Sequence, residues 1–163
     1  MKIKKFKEFT GMDLPKSILE ISGAFHEKGK KLFVVGGAVR DFLKGKIPKD
    51  FDLATDATPD ESLSILKEKK FRTLEVGKAF GVVKAITSDF PEGIEIATFR
   101  TDGKSTDNRR PDYVEFTSID NDVLRRDLTI NALFYDIQKR EIVDLVGGRE
   151  DLENNVVRTV GKP

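Results

Sequence analysis

The chain has 163 residues, 38 % hydrophobic and 35 % charged, with twelve phenylalanines. That length suits one domain of about 100–200 residues with a self-sufficient core, and the composition is globular rather than disordered. Twenty-nine Lys and Arg against 28 Asp and Glu leave a net charge of +1, which excludes a uniformly basic nucleic-acid wrapper but not a local basic patch. With no cysteine, disulfides, thiolate zinc sites, iron–sulfur clusters and a Cys nucleophile are excluded. A reducing, cytoplasmic setting is expected. The single histidine, His26, lies in a polar stretch and reads as a surface helix residue. Acid–base or metal chemistry therefore falls to carboxylates. No apolar run reaches the roughly 20 residues of a membrane span, so no membrane partner is expected. The Lys-rich start, Met1–Lys7, lacks the apolar stretch of a signal peptide.

In chain order, Pro15 to about Lys28 predicts a helix with Ile18, Leu19, Ile21, Ser22 and Phe25 on one face, stopped by Gly29. Residues 1–30 are expected to form an N-terminal segment and helix packed on a head spanning residues 31–163. Leu32–Val35 suits a buried strand, Gly36-Gly37 a turn, and Ala38–Lys44 a short helix. Phe51–Ala54 alternates as a strand. Thr58-Pro59-Asp60-Glu61 carries a capping box for a helix running to Lys69. Strands are predicted at Phe71–Val76, Phe80–Ile86, Ile94–Arg100 and Tyr113–Phe116, with Thr101–Arg110 an exposed loop. Ser118 to about Leu133 predicts a helix, Phe134–Ile137 and Glu141–Val143 a hairpin, Gly147–Asn155 a turn and short helix, and Val156–Val160 a last strand. The expected class is α+β: a mixed sheet of about five strands, backed by helices on one face.

The chemistry concentrates in two stretches. On an alternating strand Asp50 and Asp52 share a face, opposite Phe51 and Leu53. Two neighbouring carboxylates repel, and a divalent cation relieves them; oxygen-only ligands suit Mg²⁺ or Mn²⁺. Glu95, mid-strand in Ile94–Ala97, can supply a third oxygen, a set suited to in-line phosphoryl displacement. The strand–Gly36-Gly37–helix junction lets backbone N–H groups approach a phosphate, and Arg40 adds a guanidinium. Each piece alone has a plainer reading, as solvated face, turn or surface charge; their order makes them specific. Gly11–Ser17 has P-loop spacing, but Pro15 stands where Gly is needed and no strand precedes it.

Taken together, these residues resemble the catalytic head of bacterial and eukaryotic tRNA nucleotidyltransferases (CCA-adding enzymes) and the related bacterial poly(A) polymerases, of the polymerase-β-like superfamily. Leu32–Asp41 is similar to the Gly-Gly-x-Val-Arg-Asp element, Lys49–Asp52 to the metal-binding Asp-x-Asp, and Glu95–Arg100 to the strand bearing the third acid. Asp102–Pro111, with Asp107, Arg109 and Arg110, resembles the family's flexible loop; Asn108 departs from its common Gly. Arg125–Ala132 matches the nucleotide and ribose motif, and Asp144–Leu152 with Arg158–Gly161 resembles the exit toward the neck. On one continuous helix Asp127 and Asn131 would share a face, with Arg126 turned to the nucleotide; alternatively Asp127 and Asn131 fix the local backbone.

The resemblance implies metal-dependent, template-independent transfer of a nucleotide from CTP or ATP to an RNA 3′-hydroxyl, expected to be a tRNA end. Asp50, Asp52 and Glu95 would be the catalytic metal ligands, and Gly36, Gly37, Arg40, Arg126, Asp127 and Asn131 the nucleotide site. Alternatives are adenylyl transfer of the poly(A) type and a non-catalytic nucleotide- or partner-binding head. In the family base choice lies in a helical neck. The resemblance ends at Gly161-Lys162-Pro163, where that neck would begin, so neck, body and tail are expected to come from a further segment or a partner chain.

Overall fold

The structure, a computed structural model, describes residues 11–102 and 114–162. Helix α1, Lys16–Glu27, buries Ile18, Ile21 and Phe25 and leaves His26 exposed. It leads through Gly29 into β1, Leu32–Val35, whose four residues are all buried. Helix α2, Gly37–Leu43, returns the chain to β2, Asp52–Thr55. Helix α3, Pro59–Glu68, starts with the predicted capping box: the Thr58 hydroxyl accepts from the Glu61 N–H, and the Glu61 carboxylate accepts from the Thr58 N–H. Strands β3 (Arg72–Gly77), β4 (Val82–Ile86), β5 (Ile94–Thr98), β6 (Arg100–Asp102) and β7 (Val114–Phe116) follow. After α4, Ile119–Asp122, come β8 (Leu133–Asp136), β9 (Glu141–Asp144) and α5 (Gly148–Glu153).

Seven strands form one mixed sheet in the order β3-β4-β5-β2-β1-β8-β9, and β6 pairs with β7 in a separate ribbon. Among the described residues every strand pair is antiparallel except β2–β5. The sheet is wider than the expected five strands. The β8–β9 hairpin joins it by pairing β8 with β1, a long-range match that local periodicity does not reveal.

The period-two alternation divides the sheet's residues between two cores. Leu53, Ile94, Ile96, Val34 and Leu133 pack in the larger core with Ile18, Phe25, Val39 and Leu66 of α1, α2 and α3. On the other face Phe33, Val35, Ala54 and Phe134 form a smaller core with Phe99 and Val123. The rings of Phe33, Phe99 and Phe134 meet at 5.6–6.2 Å. Apolar residues thus cover both faces, not one as predicted.

Two predicted elements also differ. The continuous helix over 118–133 is absent: α4 stops at Asp122, a 3₁₀ turn covers Val123–Arg125, and Arg126 is extended (φ −81°, ψ 157°). Other partners capture the backbone there: the Asp127 carboxylate takes the N–H of Leu128, and the Arg158 carbonyl takes the N–H of Thr129. A second 3₁₀ turn spans Thr129–Asn131. The final strand at Val156–Val160 is also absent; only Thr159 makes an isolated bridge, to Leu128.

Candidate active site

Asp52 opens β2, and its register partner on β5 is Glu95. Asp52 shares the alternation of Ala54, so it lies on the smaller-core face, just beyond the end of that core. Asp50 precedes the strand rather than belonging to it, yet is near enough to act on Asp52. The Asp52 pKa is raised, first by partial desolvation, then by the charges of Glu95 and Asp50; Arg126 opposes them. Phe51 faces away, buried against the Phe90 ring at 6.0 Å. As they stand, no three Asp, Glu or His side chains among the described residues form a ready-made cation cage. The donor set nevertheless fits a hard divalent cation: it is all oxygen, and partial burial, then the charges of Glu95 and Asp50, raise the Asp52 pKa, a cost that a bound cation relieves.

Beside this acidic edge is a cavity of about 440 Å³ lined by Gly36, Gly37, Arg40, Arg125, Arg126, Asp127 and Asn131. The fold thus brings together all six residues predicted for a nucleotide. The turn that starts the cavity depends on glycine: Gly36 has φ 75°, ψ −135°, and its N–H donates to the Leu133 carbonyl. At Gly37 an added Cβ would stand 3.3 Å from the Arg40 guanidinium, so the missing side chain leaves that arginine its place. Arg40 Nη1 donates to Asn131 Oδ1 at 2.6 Å, while Nε and Nη2 lie 3.1 and 3.0 Å from Asp41 Oδ1. Asn131 therefore aims Arg40 as well as lining the cavity. Asp127 is exposed, with one carboxylate oxygen held by the Leu128 N–H. The two are brought to one cavity by the broken backbone and not by a shared helix face.

Arg126 lines the cavity and is near enough to Asp52 for the two charges to interact. Its side chain is 15 % exposed, and its guanidinium carbon stands 5.0 Å from the centroid of Phe134, a cation–π contact. Burial lowers its pKa first; Asp122 raises it and Arg125 lowers it again. Asp122 is not among the site residues legible in the sequence, where a carboxylate near the start of a helical stretch signals only a favourable dipole charge. Three guanidinium contacts and one backbone N–H converge on that carboxylate, which is itself buried.

A second polar cluster pins the cavity from behind. Thr129 Oγ1 donates to Asp151 Oδ2 at 2.7 Å, and Arg158 grips both oxygens of Asp151 at 3.0 and 3.2 Å. Arg158 and then Thr129 hold the Asp151 pKa below the ordinary carboxylate range. Asp107, Arg109 and Arg110 lie outside the described residues; β6 and β7 flank that segment. No helix among the described residues is long and apolar enough to cross a membrane.

The poly(A) polymerase head-domain family model matches residues 32–158. The CCA-adding enzyme of Bacillus pumilus (strain SAFR-032) is 45 % identical over 146 residues, which are 89 % of this chain and 35 % of that protein. Poly(A) polymerase I of Salmonella typhi is 35 % identical over 162 residues, covering 93 % and 34 % of the two. The crystal structure of the Bacillus stearothermophilus CCA-adding enzyme in complex with CTP superposes with a TM-score of 0.76 at 35 % identity, over 92 % of this chain and 34 % of that one. A tRNA nucleotidyltransferase complexed with a primer tRNA and an incoming ATP analog gives 0.67 at 26 % identity, over 86 % and 39 %. The chain spans about a third of the length of these relatives.

Proposed function

Because this chain belongs to the poly(A) polymerase head-domain family, we propose that it carries the catalytic half of a template-independent RNA nucleotidyltransferase. The proposed reaction adds a nucleotide from CTP or ATP to the 3′-hydroxyl of a tRNA. One observation carries the reading: the Asp52–Glu95 pair borders a cavity that collects Gly36, Gly37, Arg40, Arg126, Asp127 and Asn131. A cytoplasmic setting, where tRNA and nucleoside triphosphates meet, goes with it.

Asp50, Asp52 and Glu95 would hold Mg²⁺ or Mn²⁺, which supplies charge stabilisation for in-line displacement at phosphorus. The protein groups do the rest. The open backbone at Gly36-Gly37 admits the triphosphate, and Arg40, fixed by Asn131 and Asp41, meets its oxygens in a planar fork. Arg126 adds a positive charge between the phosphates and Asp52. The free carboxylate oxygen of Asp127 is available to a ribose hydroxyl. The RNA 3′-oxygen forms a bond to the α-phosphorus, the bond to the β-phosphate oxygen breaks, pyrophosphate leaves, and the hydroxyl proton passes to solvent. Holding both reactants in line is the main contribution of such a site.

Similarity to both CCA-adding enzymes and poly(A) polymerase I supports two readings, CCA addition and poly(A) addition. Incubating the chain and Mg²⁺ with CTP alone, ATP alone or both, on tRNA lacking its 3′ end and on an unstructured RNA, separates them. CCA-type addition predicts CTP incorporation confined to tRNA. ATP incorporation on either RNA, without CTP, would instead favour the poly(A) type.

A further inference from the structure

Asp122 is unusual for its saturation. A carboxylate has about four acceptor positions, and here four N–H groups fill them. Arg126 Nε and Nη2 donate to Oδ1 at 3.1 and 2.9 Å; Arg125 Nε and the backbone N–H of Arg100 donate to Oδ2 at 3.3 and 2.9 Å. Its side chain is 1 % exposed. The three arginines crowd one another: Arg125 and Arg126 both disfavour the charge of Arg100, and Arg125 disfavours that of Arg126. Asp122 is the only carboxylate that hydrogen-bonds to Arg126 among the described residues.

The same carboxylate joins three parts of the chain. Arg100 begins β6, and its Nη1 donates to the Phe80 carbonyl at 2.7 Å, ahead of β4. Arg125 and Arg126 line the cavity. The two-point grip uses the Nε edge of Arg126 and leaves Nη1 outside it.

We propose that Asp122 is the positioning residue of the nucleotide cavity: this buried carboxylate sets the orientation of Arg126 toward the triphosphate and locks it to the start of β6. Asp122 touches no reacting atom and acts through Arg126. The proposal rests on reading the cavity as a nucleoside triphosphate site.

The test uses the full chain, with Mg²⁺–CTP and Mg²⁺–ATP as probes. Calorimetry measures affinity, thermal melting measures the fold, and NMR follows the Arg126 Nε–H signal, identified by its loss in Arg126→Lys. In Asp122→Asn the Nε–H should shift and exchange faster with water, and affinity should fall about tenfold or more in protein that still melts cooperatively. A merely structural role would lower the melting temperature and leave the affinity of folded protein unchanged, which overturns the proposal. An unmoved Nε–H signal overturns it too. If Asp122→Asn fails to fold, Asp122→Glu, which keeps the charge one methylene further out, is read by the same two criteria. Wild type that binds neither nucleotide overturns the cavity reading and this proposal with it. Wild type that binds, with a variant that binds equally well, overturns this proposal alone.

Discussion

Asp52 and Glu95 stand side by side across a parallel strand pair of the sheet, β2 with β5. Strand alternation puts both on the sheet face opposite α1, α2 and α3, and β1 places Val35 beside Asp52 on the other side. The acids therefore border the Gly36-Gly37 turn that follows β1. The first prediction follows from the partial burial of Asp52 and from its repulsion by Glu95 and Asp50. Folding raises the Asp52 pKa, so keeping it ionised costs stability as pH rises above the ordinary aspartate range. Asp52→Asn should melt above wild type at about pH 7, and the gap should close at about pH 3, where the carboxyl is protonated in folded and unfolded chains alike. Thermal melts across that range check this. A wild type that is the more stable at neutral pH would contradict the electrostatic account.

Cation binding should reverse that order. Mg²⁺ or Mn²⁺ bound to the folded chain stabilises it by about 1.4 kcal/mol at tenfold excess over its dissociation constant. Wild type should gain melting temperature on addition of Mn²⁺ and lose it again with chelator. Asp52→Asn should gain little and Glu95→Gln an intermediate amount. Equal gains in all three would mean the ion binds elsewhere.

The bond from Arg40 Nη1 to Asn131 Oδ1 predicts coupling between those residues. Arg40→Ala and Asn131→Ala should each weaken triphosphate binding, and the double variant should fall short of the sum by about 0.5–3 kcal/mol. A calorimetric double-mutant cycle measures it. Additive losses would show that Asn131 meets the nucleotide independently of Arg40.

Gly148 has no room for a side chain, because a Cβ there would run into the Thr129 carbonyl. Gly148→Ala should cost about 1–3 kcal/mol and disturb the Thr129–Asn131 turn that lines the cavity. At Gly161 a Cβ meets nothing, so Gly161→Ala should stay within about 0.5 kcal/mol of wild type. Urea titration of the pair separates crowding from a general intolerance of alanine.

The sequence made the strand of Leu32–Val35, the capping box at Thr58 and the hairpin of Phe134 with Val143 legible, because each is written in local periodicity or a local cap. The acidic pair and the glycine turn were legible through their order along the chain. The segment from Ser118 to Leu133 was not. Its spacing suits a helix, but the Leu128 N–H goes to the Asp127 carboxylate and the Thr129 N–H to the distant Arg158 carbonyl, partners that local periodicity does not reveal. Asp122 itself escaped notice for the same reason: a carboxylate near a helix start looks like a dipole partner until its distant donors are seen. The width of the sheet was hidden because the pairing of β8 with β1 joins residues about a hundred positions apart.

The most direct measurement is label transfer. The chain is incubated with Mg²⁺, labelled CTP or ATP and tRNA lacking its 3′ end, beside the Asp50→Ala/Asp52→Ala double variant. Label in the RNA that requires the cation and disappears in the double variant is the predicted result. Label that persists in the double variant, at a rate close to wild type, would contradict the assignment of the Asp50, Asp52 and Glu95 edge as the catalytic centre.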